Sequence, residues 1–180
     1  MNNPKIIKPE EKFLLSYFEA CKESWNFVHD RYILHDPDRF EEWKNTIFQT
    51  YIDCENGTNL PEGYVSSTTF WIVDGDDYVG TINLRHRLTP FLATYGGHAG
   101  LMIRLSRRGQ GYGKFASNFI LTEAPKIVEP PFLLTCQESN QKSIKLIEKF
   151  PFSKMEKAEI ELYGKKQAIR RYYFDFPKNP

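Results

Sequence analysis

The spacing of apolar residues in the first part of the chain predicts two helices. From Phe13 to Trp25 the apolar positions recur every third or fourth residue, as on one face of a helix. A second stripe runs from Phe40 to Tyr51, after acidic residues that favour a helix start, and Asn56-Gly57 ends it. A short strand at 6–8 precedes both helices. We therefore expect one strand and two helices in this part of the chain.

The middle of the chain changes to the pattern typical of strands. Residues 67–73 and 78–85 are rich in β-branched and aromatic side chains and are separated by Gly75-Asp-Asp77, so they predict an antiparallel hairpin. A third strand is expected over 98–105. The connection from 85 to 97 contains a proline and a glycine pair, and we expect it to be exposed and mobile.

The last part of the chain alternates helices with strands. Apolar residues recur at helical spacing after Tyr112, and Pro125 is expected to bound this helix. A buried strand at 132–136 follows, and the helical connection predicts that it runs parallel to the strand before the helix. Asn140 can cap a further helix, and residues 154–174 predict a closing hairpin.

Composition and charge narrow the class of protein. The 180 residues suit one domain, and a net charge of +1 gives no overall attraction to nucleic acid or to an anionic membrane. No apolar run is long enough to span a bilayer, and the amino terminus lacks the features of a signal peptide, so we expect a cytoplasmic location without membrane contact. The cysteines and histidines show no paired ligand spacing, so we expect neither a metal site nor a disulfide framework.

The stretch from Leu101 to Lys114 carries the clearest chemical signal. It combines a strand, a glycine-rich turn over Gly109–Gly113 and a helix start. Glycines let backbone amides approach a ligand closely, and the positive end of a helix dipole favours an anion. Arg107 and Lys114 add positive charge, and each is either a phosphate partner or a solvated surface cation. The stretch predicts a phosphate or pyrophosphate site, against the alternative of an ordinary strand-to-helix turn.

Two motifs in the expected order resemble the GNAT superfamily of N-acetyltransferases. Arg108-Gly-Gln-Gly-Tyr-Gly113 fits the Arg/Gln-x-x-Gly-x-Gly/Ala signature, and Asn140-Gln-Lys-Ser143 fits the Asn-x-x-Ser start of a later helix. The segments Ser67-Thr-Thr-Phe-Trp71 and Gly96-Gly-His-Ala-Gly100 are similar to a bacterial subgroup of predicted acetyltransferases. The order of the predicted elements follows the superfamily along nearly the whole chain.

The resemblance implies an α/β (α+β) fold of the GNAT type in a single N-acetyltransferase domain spanning 1–180. The sheet would be mixed and mostly antiparallel, with about six to seven strands and about four flanking helices. A central parallel pair, formed by the strands at 98–105 and 132–136, would splay apart.

The resemblance also implies acetyl-CoA as co-substrate, without a metal. The glycine turn would hold the pyrophosphate, while the preceding strand and the later helix start would hold the pantetheine arm. The cofactor-binding residues expected on this basis are Leu101, Met102, Ile103, Arg108, Gly109, Gln110, Gly111, Tyr112, Gly113, Lys114, Asn140 and Ser143. The acceptor would be a primary amine of a small molecule, a peptide or a protein.

The catalytic groups are less well defined. Relatives often carry a glutamate where this chain has Gly97, so the neighbouring His98 is the candidate base, against the alternative of a structural strand histidine. Glu138 is a weaker candidate. The tyrosine that relatives use as an acid aligns with Ile147, and Cys136 is expected to be a small buried residue rather than a nucleophile.

Two other functions fit parts of the pattern. A relative that binds CoA without transferring an acetyl group, as a sensor or scaffold, would also lack the acid tyrosine. An RNA-binding module would use Gly111–Phe115 as an aromatic strand on which bases stack. The main prediction is direct acetyl transfer to an amine, with no nucleic-acid partner, and with an exposed terminal strand that would allow a homodimer.

Overall fold

The computed structural model describes residues 3–25, 35–128, 130–162 and 164–176. The strands are β1 (Pro4–Ile7), β2 (Ser67–Asp74), β3 (Asp77–Arg85), β4 (Ala99–Ile103), β5 (Phe132–Gln137), β6 (Lys154–Leu162) and β7 (Lys165–Phe174). The helices are α1 (Leu14–Ser24), α2 (Phe40–Trp43), α3 (Ile47–Asn56), α4 (Pro90–Thr94), α5 (Tyr112–Ile127) and α6 (Gln141–Ile147). Short 3₁₀ turns lie at Glu11–Phe13, Pro37–Arg39 and Leu105–Arg107.

The strands form two hydrogen-bonded antiparallel sheets. The first has the order β1-β2-β3-β4 and the second the order β5-β7-β6. Strands β4 and β5 therefore lie in different sheets, and they are joined where the backbone N–H of His98 donates to the carbonyl of Leu133 over 2.8 Å. The mixed α/β architecture agrees with the expected class, while the parallel, splayed pair stays a prediction.

The first sheet is covered on its two faces by different cores. Helix α5 covers an aliphatic core, which includes Ile72, Ile82, Leu84, Ala116, Ile120, Phe132 and Tyr172. Helices α1, α2 and α3 cover an aromatic core, which includes Phe13, Tyr17, Trp43, Ile47, Trp71, Tyr78 and Met102. Tyr17 stacks on Trp71 with 4.8 Å between ring centroids. Because the aliphatic core takes residues from β3 and from β5 and β7, it ties the two sheets together.

Helix α5 continues past Pro125, which the sequence predicted to bound it. The N–H of Val128 donates to the carbonyl of Ala124 over 2.8 Å, so the last turn closes around the proline and the helix ends at Ile127. Ala124 and Val128 are both buried in the aliphatic core. Burial of this turn outweighs the hydrogen bond that the proline cannot donate.

The second predicted helix is divided into α2 and α3. At the break the N–H of Thr46 donates to the carbonyl of Trp43 over 3.0 Å, which is 3₁₀ spacing and interrupts the α-helix. The Thr46 hydroxyl donates to the same carbonyl over 3.3 Å. Trp43 and Ile47 nevertheless both reach the aromatic core, as the apolar stripe predicted.

The connection between β3 and β4 is folded, which corrects the expectation of an exposed segment. It contains α4, whose start is capped by the hydroxyl of Thr89, which accepts from the N–H of Leu92 over 3.2 Å. The N–H of Gly96 donates to the Thr135 hydroxyl over 2.9 Å, and Gly97 is buried. The connection thereby forms a wall beside β3 and β4.

In the described part of the chain, no helix is both long and apolar enough to cross a membrane.

Candidate active site

The glycine turn lies between the end of β4 and the start of α5. Gly109 and Gly111 have φ angles of 78° and 92°, in the left-handed region that favours glycine. The first amides of α5 have no carbonyl four residues earlier to bond, so they point out of the helix start and suit an anion. The segment Gly111–Phe115 begins a helix, so the strand that an RNA-binding module would require is absent there, and that alternative is wrong on this point.

The side chains at the turn mainly brace it. Tyr112 is buried and its hydroxyl donates to Asp74 Oδ2 over 2.6 Å, which fixes the helix start to the end of β2. Gln110 Nε2 donates to the carbonyl of Ser106 over 3.2 Å. If Gln110 and Tyr112 contact a pyrophosphate, they must do so through their backbone amides.

The basic residues around the turn separate into two groups. Arg104 pairs with Glu23 at 3.2 Å, and Arg107 pairs with Asp77, so both guanidinium groups bind carboxylates of this chain. Arg108 and Lys114 are exposed, and Arg108 Nε donates to the carbonyl of Ile103 over 3.0 Å. Arg108 and Lys114 are therefore the cations that a phosphate at the turn would meet.

Strand β4 pairs with β3 along one edge, and its other edge faces away from β3. The N–H of Arg104 donates to the carbonyl of Val79, and Met102 lies opposite Thr81, so alternate residues direct their backbone groups toward β3. The backbone groups of Leu101 and Ile103 consequently face the other edge. Of the three residues predicted to pair with pantetheine, Leu101 and Ile103 have this orientation, while Met102 is turned toward β3.

His98 and Gly97 form the junction between β4 and β5. Leu133 donates its N–H to His98 Nδ1 over 2.9 Å, and the imidazole stacks on Phe132 with 5.4 Å between ring centroids. A β-carbon at Gly97, whose φ is 59°, would lie 2.5 Å from the carbonyl oxygen of Leu133. A glycine is therefore required where relatives are expected to carry a glutamate.

The environment of His98 keeps its imidazole neutral. Burial, together with the positive charge of Arg85, lowers the pKa of His98 to about 4. Since Nδ1 accepts from Leu133, the ring proton is assigned to Nε2. The geometry is that of a buried histidine that holds two strands together. A base role would require Nδ1 to give up the hydrogen bond from Leu133, because Nε2 already carries the ring proton.

The other candidates from the sequence lie near the end of β5. Glu138 pairs with Lys157 at 2.7 Å and with Arg170 at 3.0 Å, and these cations hold the pKa of its carboxyl below the usual range. Cys136 is buried, and burial raises the pKa of its thiol to about 11. A thiol so rarely ionised is a poor nucleophile at neutral pH.

Asn140 begins α6, as the sequence predicted. Its Oδ1 accepts from the N–H of Ser143 over 3.1 Å, which caps the helix. A β-carbon at Gly113 would lie 3.4 Å from Leu146 Cδ2, so α6 packs against the start of α5 and the two motifs are neighbours. Ile147, which the resemblance aligned with the acid tyrosine of relatives, packs against the aliphatic core.

A cavity of about 350 Å³ lies on the face of the first sheet that also carries the aromatic core. Its floor consists of polar side chains at alternate positions of β2 and β3, namely Ser67, Thr69, Thr81, Asn83 and Arg85. Asn83 Nδ2 donates to the hydroxyls of Ser67 and Thr69 over 3.1 and 3.2 Å. Arg85 Nη1 donates to the carbonyls of Gly96 and Gly97 over 3.0 and 2.9 Å.

The walls of the cavity come from other parts of the chain. Tyr51 and Cys54 of α3, Tyr64, Phe91 and Tyr95 line it together with His35. Burial lowers the pKa of His35 to about 4, and its Nδ1 is 2.8 Å from the hydroxyl of Tyr17. The sequence did not predict the floor of this cavity, although the alternating hydroxyl and amide side chains of the predicted hairpin carried a signal for it.

The cavity and the glycine turn meet at β4. Asn83 and Thr81 lie directly opposite Gly100 and Met102. Since Gly100 has no side chain, the floor of the cavity adjoins the β4 backbone there. Among the described residues, no group of three or more His, Cys, Asp or Glu side chains is placed to hold a metal ion.

The comparison with protein families shows the class of this protein, which is an acetyltransferase. Residues 19–152 match the model of the acetyltransferase (GNAT) family, so the chain belongs to that family. Acetyl-CoA is the co-substrate of these enzymes, and the glycine turn and the β4 edge fit it. No curated protein matches the chain in sequence.

Several solved structures share the fold. The ribosomal L7/L12 alpha-N-protein acetyltransferase RimL in complex with coenzyme A is 13% identical, with a TM-score of 0.69 over 99% of this chain and 97% of that chain. The acetyltransferase MccE of microcin C7 self immunity, in complex with acetyl-CoA and AMP, is 16% identical, with a TM-score of 0.64 over 96% and 92%. A mutant spermidine/spermine N-acetyltransferase SpeG from Vibrio cholerae is 15% identical, with a TM-score of 0.55 over 96% and 94%. At these identities the likeness shows the fold alone.

Proposed function

We propose that this enzyme transfers the acetyl group of acetyl-CoA directly to a primary amine bound in the cavity. The observation that carries the proposal is the register of β3 and β4, which places the cavity floor at Asn83 opposite Gly100. The free edge of the same strand, β4, leads to the glycine turn. A donor on that edge and an acceptor in the cavity would therefore meet at one strand.

The donor side of this proposal uses the residues predicted from the sequence. The amides of Arg108–Gly113 would bind the pyrophosphate, with Arg108 and Lys114 adding charge at its exposed side. The backbone groups of Leu101 and the N–H of Ile103 would pair with the pantetheine amides, while the Ile103 carbonyl already accepts from Arg108 Nε. Asn140 and Ser143 lie at the start of α6, beside the turn, and Asn140 already serves as the helix cap.

The reaction needs a neutral amine at the thioester carbonyl. The amine nitrogen forms the new C–N bond, the C–S bond breaks, the nitrogen loses a proton, and the CoA sulfur takes up a proton. We keep His98 as the candidate base, acting through Nδ1 once the N–H of Leu133 releases it, and Glu138 as the weaker one. The lowered pKa of each group makes it a weak base, so water is a competing proton acceptor.

We further propose that 1–180 form one domain and that the chain can pair through β6. The shared aliphatic core, to which both sheets contribute, supports the first proposal. The terminal strand β7, which the sequence predicted to be an exposed edge, lies between β5 and β6. The edge left for pairing is β6, many of whose side chains are exposed, which supports the second proposal.

A free-thiol assay tests the proposed activity. We expect acetyl-CoA and a panel of primary amines to give equal amounts of free CoA thiol and acetylated amine. Tertiary amines matched in size are the control, because they have no N–H to lose and should release no thiol. If calorimetry detects CoA binding but no amine causes thiol release, the activity is excluded and the sensor or scaffold function is favoured.

A further inference from the structure

The mouth of the cavity is marked by exposed aromatic rings. Tyr64 is 57% exposed and Phe91 is 59% exposed, and both line the cavity. The other large hydrophobic side chains exposed in the described ranges are Leu15, Ile52 and Met155, which are aliphatic and lie outside it. Exposed aromatic surface that is concentrated at a cavity is typical of a binding site.

Further rings continue from the mouth into the cavity. Phe91 contacts Tyr95 edge to face, with 6.0 Å between ring centroids, and Tyr51 contacts Trp71 of the aromatic core in the same way at 6.2 Å. Ring edges and faces of this kind bind a flat apolar group more favourably than its area alone would give. The walls therefore suit an aromatic ring.

The described lining of the cavity offers no carboxylate to a polycation. Among the described residues that line it there is no aspartate or glutamate. His35 is kept neutral by burial at physiological pH. A polyamine, or a lysine in a basic peptide, would find no carboxylate among these residues for its ammonium groups.

The floor provides neutral hydrogen-bonding groups beside β4. The hydroxyls of Thr69 and Thr81 and the amide of Asn83 can orient an uncharged amine without stabilising its ammonium form. This position adjoins Gly100, where the acceptor nitrogen has to be for transfer. A volume of about 350 Å³ is near the lower end for ligand pockets and suits a compact molecule.

We propose that the acceptor is a compact primary amine that carries an aromatic ring. The ring lies between Tyr64 and Phe91, and the amine lies on the floor beside Asn83. The inference rests on the acetyl transfer proposed above and adds the class of its acceptor.

The first test compares amines of different shape and charge in the thiol-release assay. We expect kcat/KM for 2-phenylethylamine to exceed that for hexylamine, and that for spermidine, by about tenfold or more. A kcat/KM for spermidine or hexylamine that equals or exceeds it would overturn the inference while leaving the transferase activity intact. If none of the amines is acetylated, it is the proposed function that fails.

The second test removes the rings. Phe91→Ala and Tyr64→Ala should each raise KM for 2-phenylethylamine about tenfold, with a clearly smaller increase in KM for hexylamine and no change in the affinity for CoA. Leu15→Ala is the matched control, because Leu15 is 71% exposed on α1 outside the cavity. Phe91→Leu keeps most of the apolar volume without the ring and should behave like Phe91→Ala. Equal effects on the two amines, or no effect, would contradict the inference.

Discussion

The glycine turn and the cavity are built in opposite ways. The glycine turn lies within one continuous stretch, Leu101 to Lys114, and it would bind CoA mainly through backbone amides. Tyr112 and Arg107 hold the turn in place. The cavity is assembled from α3, from β2 and β3, and from the connection before β4, and it offers side chains. A site made of backbone is recognisable from local sequence, whereas a site made of distant side chains is not.

The glycine turn and the cavity also differ in the ligands between which they can discriminate. Backbone amides of the turn would bind any diphosphate of suitable shape. The cavity contains hydroxyls, an amide and aromatic rings, which in the proposed function would distinguish one amine from another. Donor and acceptor recognition should therefore respond to different mutations.

The largest expected effect is on the backbone of the turn. Gly111→Val should raise the dissociation constant of CoA about a hundredfold, because a β-branched residue is strained at a φ of 92° and the amides would be displaced. Calorimetry measures this dissociation constant. Gly164→Val is the control, since Gly164 has a φ of 72° with open space around its Cβ in the β6–β7 turn. Equal CoA affinities in the two variants would contradict the turn as the donor site.

The next effect concerns His98, at the junction between β4 and β5. His98 has a folded-state pKa of about 4, lowered from 6.5, so the unfolded chain takes up this proton first as the pH falls. Stability should therefore fall by about 2 kcal/mol between pH 6.5 and pH 4 on account of His98. His98→Asn keeps an acceptor for the N–H of Leu133 but does not titrate, so it should lose this component.

Urea denaturation of both proteins across that range measures the difference. The similar contribution of His35 is present in both proteins and cancels in the comparison. Identical pH dependence of wild type and His98→Asn would show that His98 is not held neutral by the junction.

A smaller effect is expected on the acceptor side. Asn83→Leu removes the amide that bonds Ser67 and Thr69, and it should raise KM for the amine about tenfold while CoA affinity stays the same. Asn56→Leu, at the exposed end of α3, is the matched control and should change neither. A parallel loss of CoA affinity in Asn83→Leu would mean that the two regions are not separable.

The smallest expected effect is on stability, and it tests whether the turn binds CoA through its backbone amides. Tyr112→Phe should cost about 1 kcal/mol of stability, because the hydroxyl no longer donates to Asp74, and it should leave CoA affinity unchanged. Tyr173→Phe removes a comparable bond to Glu156, at 2.9 Å, in the second sheet. A loss of CoA affinity in the Tyr112 variant alone would assign the hydroxyl to the ligand.

Local patterns explain what could be predicted from the sequence. The order of strands and helices, the turn over Gly109–Gly113 and the cap at Asn140 depend on residues close together in the chain. The predictions that failed depend on packing. Pro125 stays inside a helix because Ala124 and Val128 are buried, and the second helix breaks at a turn that apolar spacing does not reveal.

The cavity and the junction lay beyond sequence reasoning for the same reason. His98 bonds Leu133, and Arg85 bonds the carbonyls of Gly96 and Gly97, and none of these partners is fixed by local pattern. Polar side chains at alternate positions of the hairpin carried a signal of a polar face that the sequence prediction did not use. Only the fold shows that α3 and α4 close over that face to make a pocket.

A crystal structure of the protein with bound CoA would show whether the donor reaches the cavity along β4. We expect the pyrophosphate on the amides of Arg108–Gly113, the pantetheine along the Leu101 and Ile103 edge of β4, and the thiol directed toward Gly100 and the cavity floor at Asn83. A thiol that points away from the cavity, or a CoA molecule bound outside the turn, would contradict it.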